Sequence, residues 1–220
     1  MRKSCSQGFP YFFLILYSFN LIFLRNLCYT IWVYNITEVI AMKKKVLIMG
    51  TSPRVGGNSN ALAMAFEDGA VEAGHDVERV TLAGKKISFC TGCWKCLDTQ
   101  RCVIHDDADE IVQKMKDADV LVFATPIYYY EMSGQMKVLL DRANALYKAD
   151  YKYREVYLLT TAEDDKPATP VNAENGLKGW VSCFPKAKFI ETVFAGNCLD
   201  IGAIKGHKAL HEAKELGLHV

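Results

Sequence analysis

The chain has 220 residues, 50% of them hydrophobic and 23% charged, with a formal net charge of +1. That length holds one well-packed domain and is short for two. The near-zero charge excludes a global field that would gather nucleic acid or an anionic membrane, and no repeat of about 20–50 residues divides the chain.

Residues 1–41 differ sharply from the rest. They carry only four charges, Arg2, Lys3, Arg25 and Glu38, and nine of the 22 Phe and Tyr residues. Taking those three basic and one acidic residues from the totals of 26 and 25 leaves 23 and 24, a net charge of −1. Three readings compete. Arg2 and Lys3 before the apolar run Phe9–Leu24 resemble a secretory signal, but no small-residue cleavage site follows. Ser4–Leu24 is uncharged and long enough to span a membrane, though Pro10, Ser18 and Asn20 weaken it. The third reading is translated upstream sequence of AT-rich composition, with the domain starting at Met42, and it is the one preferred. Lys43, Lys44, Lys45 and Arg54 would keep the following domain cytoplasmic even beside an anchor. A cytoplasmic domain, residues 42–220, is expected either way, and the Asn35-Ile36-Thr37 sequon carries no weight.

From Lys44 the pattern alternates strand and helix. "KVLIMG" is a short apolar run ending in Gly, the mark of a strand buried on both faces. "SNALAMAFEDGAVEAG" follows as a helix with Leu62, Ala65, Phe66, Gly69 and Ala73 on one face, closed by Gly74. "DVERVTL" is a second strand and "DADEIVQKMKDA" a helix whose opening acids suit its N-terminal dipole. "DVLVFAT" is a third strand running into "PIYYYEMSGQMKVLLDRANAL", helical in its later part. "EVYLLTTAEDD" is a fourth strand with its loop, "NGLKGWVSCF" a helix, "AKFIETVFAGN" a fifth strand, and a last helix lies near His207–Gly217. Strands separated by helices predict a parallel sheet in a three-layer α/β domain.

Ligands of such sheets bind where the strands end. The first loop there, "GTSPRVGGNSN", lacks both the G-x-G-x-x-G pattern and the lysine of a triphosphate loop. It offers the hydroxyls of Thr51, Ser52 and Ser59, the amides of Asn58 and Asn60, the Arg54 guanidinium, and glycines at a helix N-terminus, which suit a monophosphate ester. The alternative is a Gly/Pro turn with Ser59 as helix cap. The second, "TPIYYYEMSG", presents Pro126 and three tyrosines to a flat ring or a subunit interface. The third, "TTAEDD", adds Thr160 and Thr161. Together they describe a site for flavin mononucleotide (FMN).

Between these loops lies "CTGCWKCLDTQRC", with Cys90, Cys93, Cys96 and Cys102 spaced C-x2-C-x2-C-x5-C. Structural disulfides are rare in a reducing cytoplasm. Three thiolates at successive x2 intervals can wrap one face of an iron–sulfur cube, whereas zinc usually takes two separated C-x-x-C pairs. A loop without any metal remains equally open. Cys183 and Cys198 look like small core residues. His207 and His211 are four apart but have no third ligand near. His105-Asp106-Asp107 reads as a helix start and Asp141-Arg142 as a structural or interface ion pair.

These motifs, "GTSPRVGGNSNAL", the cysteine run with "CVIHDDADEIVQKMKDADVLVFATPIYYYEMSGQMKVLLDR", and "HEAKELG", resemble the NAD(P)H-dependent FMN reductases of the flavodoxin-like fold, especially the iron–sulfur flavoproteins among them. The resemblance runs from about Lys44 to the C-terminus; Val103 stands where bacterial ferredoxin runs carry Pro. It implies a five-stranded parallel sheet of order 2-1-3-4-5. It implies FMN phosphate at Ser52, Arg54, Asn58, Ser59 and Asn60, and the isoalloxazine at Pro126, Ile127, Tyr128 and Tyr129 and near Thr160, Thr161 and Ala162. NAD(P)H is the implied co-substrate, a quinone, flavin or other small molecule the acceptor, and a 4Fe–4S cluster an open addition at the four cysteines. A ferredoxin-linked electron carrier and a non-enzymatic flavin or thiol redox sensor are the rival readings. No nucleic-acid partner is expected. A homodimer or homotetramer is, because the cysteine loop and the Tyr147–Tyr153 stretch would otherwise expose apolar surface.

Overall fold

A computed structural model of the chain describes residues 42–220. The readings of residues 1–41, with Cys5, Cys28 and the sequon, lie outside the described residues. Among the described residues no helix is long and apolar enough to cross a membrane.

Strands β1 (Lys45–Gly50), β2 (Asp76–Thr81), β3 (Val120–Tyr128), β5 (Glu155–Thr161) and β6 (Lys188–Ala195) lie parallel in the order β2-β1-β3-β5-β6. Taken alone, these five have the expected 2-1-3-4-5 arrangement. The sheet also has one strand more than expected. β4 (Glu131–Met132) is a two-residue strand that turns back antiparallel on β3, pairing Ile127 with Met132 and Tyr128 with Glu131. Two residues carry too little pattern to be read as a strand from sequence.

The alternation of side chains divides the core in two. Val46 and Ile48 of β1, Val120 and Val122 of β3, and Leu159 of β5 face α1 (Asn58–Glu72) and α6 (Lys208–Leu218). Leu47 and Met49, Leu121 and Phe123, and Val156 and Leu158 face α3 (Asp107–Asp117), α4 (Gly134–Arg142) and α5 (Val171–Ser182). Both faces of the central strands are therefore dry, which is why they read as unbroken apolar runs.

Helix ends follow their chemistry. The Asp106 carboxylate accepts from the Ala108 N–H at the start of α3, with acids in its first turn and Lys114 and Lys116 in its last. Ser133 caps α4 through the Met136 N–H. The His207 ring accepts from the Ala209 N–H, so this residue caps α6, while His211 is exposed and pairs with Glu215. α5 begins at Val171, four residues before the expected Asn175.

α1 ends at Glu72, and its buried face is Leu62, Ala63, Phe66, Gly69 and Ala70. Ala65 and Ala73 of the expected stripe are only partly buried. The shift has a cause: α6 covers this helix as well as the sheet, and the two helices meet through Gly69 and Gly217. Cys198 is buried as expected, but Cys183 lies exposed at the end of α5. Tyr151 and Tyr153 are buried in a cluster with Trp180 and Phe184, leaving only Tyr147 of the large aromatics in that stretch exposed. That segment therefore gives little of the apolar surface expected of it.

Candidate functional site

β1, β3 and β5 end side by side, with Gly50 level with Ala124 and Pro126 level with Thr161. The first loop is pinned to the sheet by a buried hydroxyl network. Thr51 Oγ1 donates to the Ala124 carbonyl at 3.0 Å and lies 3.1 Å from Ser133 Oγ, which Thr125 Oγ1 also contacts at 3.1 Å. The Arg54 N–H donates to Ser52 Oγ, and Gly56 takes the left-handed φ of 71° that closes the turn. Gly57 precedes α1 without a side-chain cap, so the helix opens with N–H groups available to an anion.

Three loops enclose a cavity of about 160 Å³. It is lined by Ser52, Arg54, Asn58 and Ser59, by Pro126, Ile127 and Tyr128, and by Thr161 and Ala162. Nine of the predicted site residues thus meet at one place. Within it, the Ser59 hydroxyl is buried without a hydrogen-bond partner. An orphan hydroxyl on the first turn of a helix, in a cavity that Arg54 also lines, fits an anionic oxygen. The residues present therefore suit a phosphate ester with a flat group running toward Tyr128.

The other three predicted residues stand elsewhere. Asn60 donates its amide to the Arg54 carbonyl and braces the loop against Gly50. Thr160 is buried in the sheet and donates to the Val193 carbonyl. Tyr129 is fully exposed at the tip of the β3–β4 hairpin.

Asn58 lines the cavity, but its amide is engaged elsewhere. Nδ2 donates to the carbonyls of Cys198 and Asp200 at 3.0 and 2.8 Å, and Oδ1 accepts from the N–H groups of Gly202 and Ile204 at 2.9 and 3.4 Å. It clamps the segment after β6, which supplies Cys198, Leu199 and Ile201 to the cavity wall. Arg54 Nη1 reaches the same segment, donating to the Leu199 carbonyl at 2.9 Å. This fourth wall is not among the loops the sequence points to. Its available signal was "GNCLDIG", a glycine-flanked run leaving the end of a strand.

The cysteine loop leaves the carboxyl end of β2. Left-handed residues at Gly92, Trp94 and Gln100 coil it, and Cys96 opens the short helix α2 (Cys96–Thr99). Cys90, Cys93, Cys96 and Cys102 are free thiols that together line a second cavity of about 160 Å³, with Arg142 and Asn144 beneath. The Gly92 N–H donates to Cys90 Sγ and the Asn144 amide to Cys96 Sγ, each at 3.4 Å. A backbone hydrogen bond at Lys95 and the Thr91 hydroxyl hold the Cys93 thiol below its ordinary pKa. Among the described residues no three His, Cys, Asp or Glu side chains converge as ligands of a single metal ion. Four thiols lining one cavity, with N–H donors to Cys90 and Cys96, are a donor set that suits an iron–sulfur centre.

Arg142 and Asp141 part company. Asp141 pairs with Lys137 at 2.6 Å on the surface, whereas the Arg142 side chain is 0% exposed and pairs with Asp106 at 2.7 Å.

A parallel sheet of this order, with helices on both faces and an uncapped helix N-terminus at its carboxyl edge, is the flavodoxin-like fold. The chain belongs to the NADPH-dependent FMN reductase family, whose sequence profile matches residues 44–195, well over half its length. An iron–sulfur flavoprotein of Methanocaldococcus jannaschii is 38% identical over 102 residues, 46% of this chain and 53% of that one. The chain spans about half the length of the curated relatives it matches. In fold, it is similar to an NAD(P)H:quinone oxidoreductase from Methanothermobacter marburgensis, with a TM-score of 0.60 at 17% identity over 80% of this chain and 96% of that one. An FMN-dependent NADH-azoreductase of Bacillus anthracis in complex with FMN gives the same TM-score at 15% identity, over 80% and 99%.

Proposed function

We propose that the three-loop cavity binds FMN and that the chain is an NAD(P)H-dependent FMN oxidoreductase delivering electrons to a quinone, a flavin or another small acceptor. The observation that carries this reading is the buried, unpartnered Ser59 hydroxyl in the cavity that all three loops line. Bound there, FMN would supply the hydride- and electron-transfer chemistry between a reduced nicotinamide and an acceptor. The protein's share is orientation. Ser52, Ser59, Arg54 and the first N–H groups of α1 hold the phosphate. Pro126, which has no N–H, with Ile127 and Tyr128 forms one wall for the ring, and Thr161 and Ala162 form the other. Tyr128 is 41% exposed, so the cavity would be open to solvent and to a nicotinamide on that side.

The test is direct. Purified protein should be yellow with about one FMN per chain and should oxidise NAD(P)H when a quinone is supplied. Arg54→Ala combined with Ser59→Ala should weaken FMN binding at least tenfold. Full FMN retention in that variant would sink the phosphate assignment.

The four cysteines lining one cavity favour a second reading for the electron's exit. Cys90, Cys93, Cys96 and Cys102 would hold a 4Fe–4S cluster, which supplies one-electron steps toward a ferredoxin-type partner. Anaerobic preparations should then carry about four iron atoms per chain and absorb broadly near 400 nm beyond the flavin. Zinc would add metal without a visible band, and neither metal would leave a plain flavin reductase. Free thiols suit a cytoplasmic setting. Exposed Phe89, Trp94 and Val103 on the cysteine loop, with Tyr129 and Tyr130, support a homodimer or homotetramer that covers them.

A further inference from the structure

The cysteine loop is closed by a buried charge pair that the flavin chemistry does not require. Arg142 Nη1 donates to the Ser88 carbonyl at 2.9 Å and to Asp106 Oδ2 at 2.7 Å, and Nη2 donates to the Ile104 carbonyl at 2.9 Å. Ser88 stands two residues before Cys90, and Ile104 two residues after Cys102. One guanidinium therefore holds both ends of the thiol-bearing segment. Asp106 Oδ2 completes the closure by accepting from the Ser88 N–H at 2.8 Å. The Arg142 side chain is wholly buried, it lines the cysteine cavity, and its Nε–H has no partner. A buried N–H donor without a partner is costly unless something in that cavity accepts from it, and the Cys102 thiol of that cavity already interacts with the guanidinium.

We propose that Arg142 and Asp106 are positioning residues that clasp the cysteine loop shut and that the Arg142 charge raises the electron affinity of the centre the four thiolates hold. The second half rests on the iron–sulfur reading above; the first half does not. A planar guanidinium suits the clasp because two separate nitrogens reach the two carbonyls and the carboxylate from either side, whereas an ammonium donates from a single nitrogen. The charge acts differently. A cluster gains one negative charge on reduction, and the buried guanidinium that lines the same cavity favours that reduced state. Fork geometry and charge can therefore be separated by substitution.

The experiment uses the full chain with Arg142→Lys, Arg142→Gln and, as a milder change, Asp106→Asn, which keeps the cap on α3. In metal-free protein, amide hydrogen exchange is followed over residues 88–104. In protein loaded anaerobically with iron and sulfide, the midpoint potential of the cluster is titrated. Exchange across the loop should rise about tenfold in both Arg142 variants, because neither side chain can bridge Ser88 and Ile104. The Arg142→Gln potential should fall by about tenfold in the reduced-to-oxidised ratio, about 59 mV for one electron, and Arg142→Lys should restore most of it. Asp106→Asn should loosen the loop without lowering the potential. Unchanged exchange in all three variants overturns the clasp. Equal potentials in Arg142→Gln and wild type, or equal shifts in Gln and Lys, overturn the charge effect. Failure of wild-type protein to take up iron overturns the cluster reading and the charge effect with it, while exchange still decides the clasp.

Discussion

Gly69 of α1 and Gly217 of α6 interlock: a Cβ on Gly69 would lie 2.1 Å from the Lys214 carbonyl oxygen, and one on Gly217 would lie 2.1 Å from that of Phe66. The two helix backbones touch because neither residue has a side chain, and the obstruction each would meet is backbone that cannot rotate away. Gly69→Ala should destabilise the domain by about 1–3 kcal/mol or more through overpacking, despite the better helix propensity of Ala. Thermal unfolding checks this. A midpoint equal to or above wild type would mean the helices can separate without loss.

Asp106 gives the fold an acid-sensitive joint. Burial opposes its charge, but the Arg142 guanidinium and the Ser88 and Ala108 N–H groups outweigh that and hold its pKa at about 2. A carboxyl depressed on folding contributes stability that is present above its unfolded pKa, near 3.8, and lost as pH falls toward the folded value. The shift corresponds to about 2 kcal/mol. Wild type should therefore lose more stability than Asp106→Asn between about pH 4 and 2. Urea unfolding at a series of pH values measures the difference, and parallel curves for the two proteins would show the pair is not coupled to folding.

Legibility from sequence followed periodicity. The central strands could be read because both faces are buried, so Val46–Met49 and Val120–Ala124 are unbroken apolar runs. The two-residue β4 and the four-residue α2 carry no period, and both escaped. That Ser52, Ser59 and Tyr128 meet at one cavity was legible, because loops that leave adjacent strand ends of a parallel sheet converge. Asn58 shows the limit. Residue type gave it as a ligand contact, but its four hydrogen bonds go to a segment about 140 positions later. Arg142 was hidden for the same reason, since a neighbouring acid in sequence, Asp141, is not its partner in space.

The Asn58 clamp separates contact from positioning at the flavin site. Asn58→Ala removes four hydrogen bonds to the Cys198–Ile204 segment, which walls the cavity. FMN affinity should fall about tenfold or more, with stability down by about 2 kcal/mol because buried backbone groups lose their partners. Ser59→Ala should lower affinity for FMN but leave affinity for riboflavin, which lacks the phosphate, unchanged. Asn58→Ala should weaken both. Isothermal titration with the two ligands distinguishes them, and equal selectivity in both variants would place Asn58 among the phosphate contacts.

The β3–β4 hairpin stores backbone strain at its tip. Tyr128 pairs with Glu131, so Tyr129 and Tyr130 form a two-residue turn, and both have positive φ, 48° and 64°. That turn favours Asn-Gly, and a bulky residue in the left-handed region costs about 1–2 kcal/mol. Tyr130→Gly should therefore raise stability by about 1 kcal/mol, because Gly takes the same φ without a clashing Cβ. The strain persists beside the proposed ring wall, so the aromatic side chains are expected to have a use there. With its ring removed, Tyr130→Gly should also raise the KM for NAD(P)H or the quinone, or weaken subunit association. A stabilised variant with wild-type kinetics and wild-type sedimentation would show that the second tyrosine of the turn serves neither substrate nor partner.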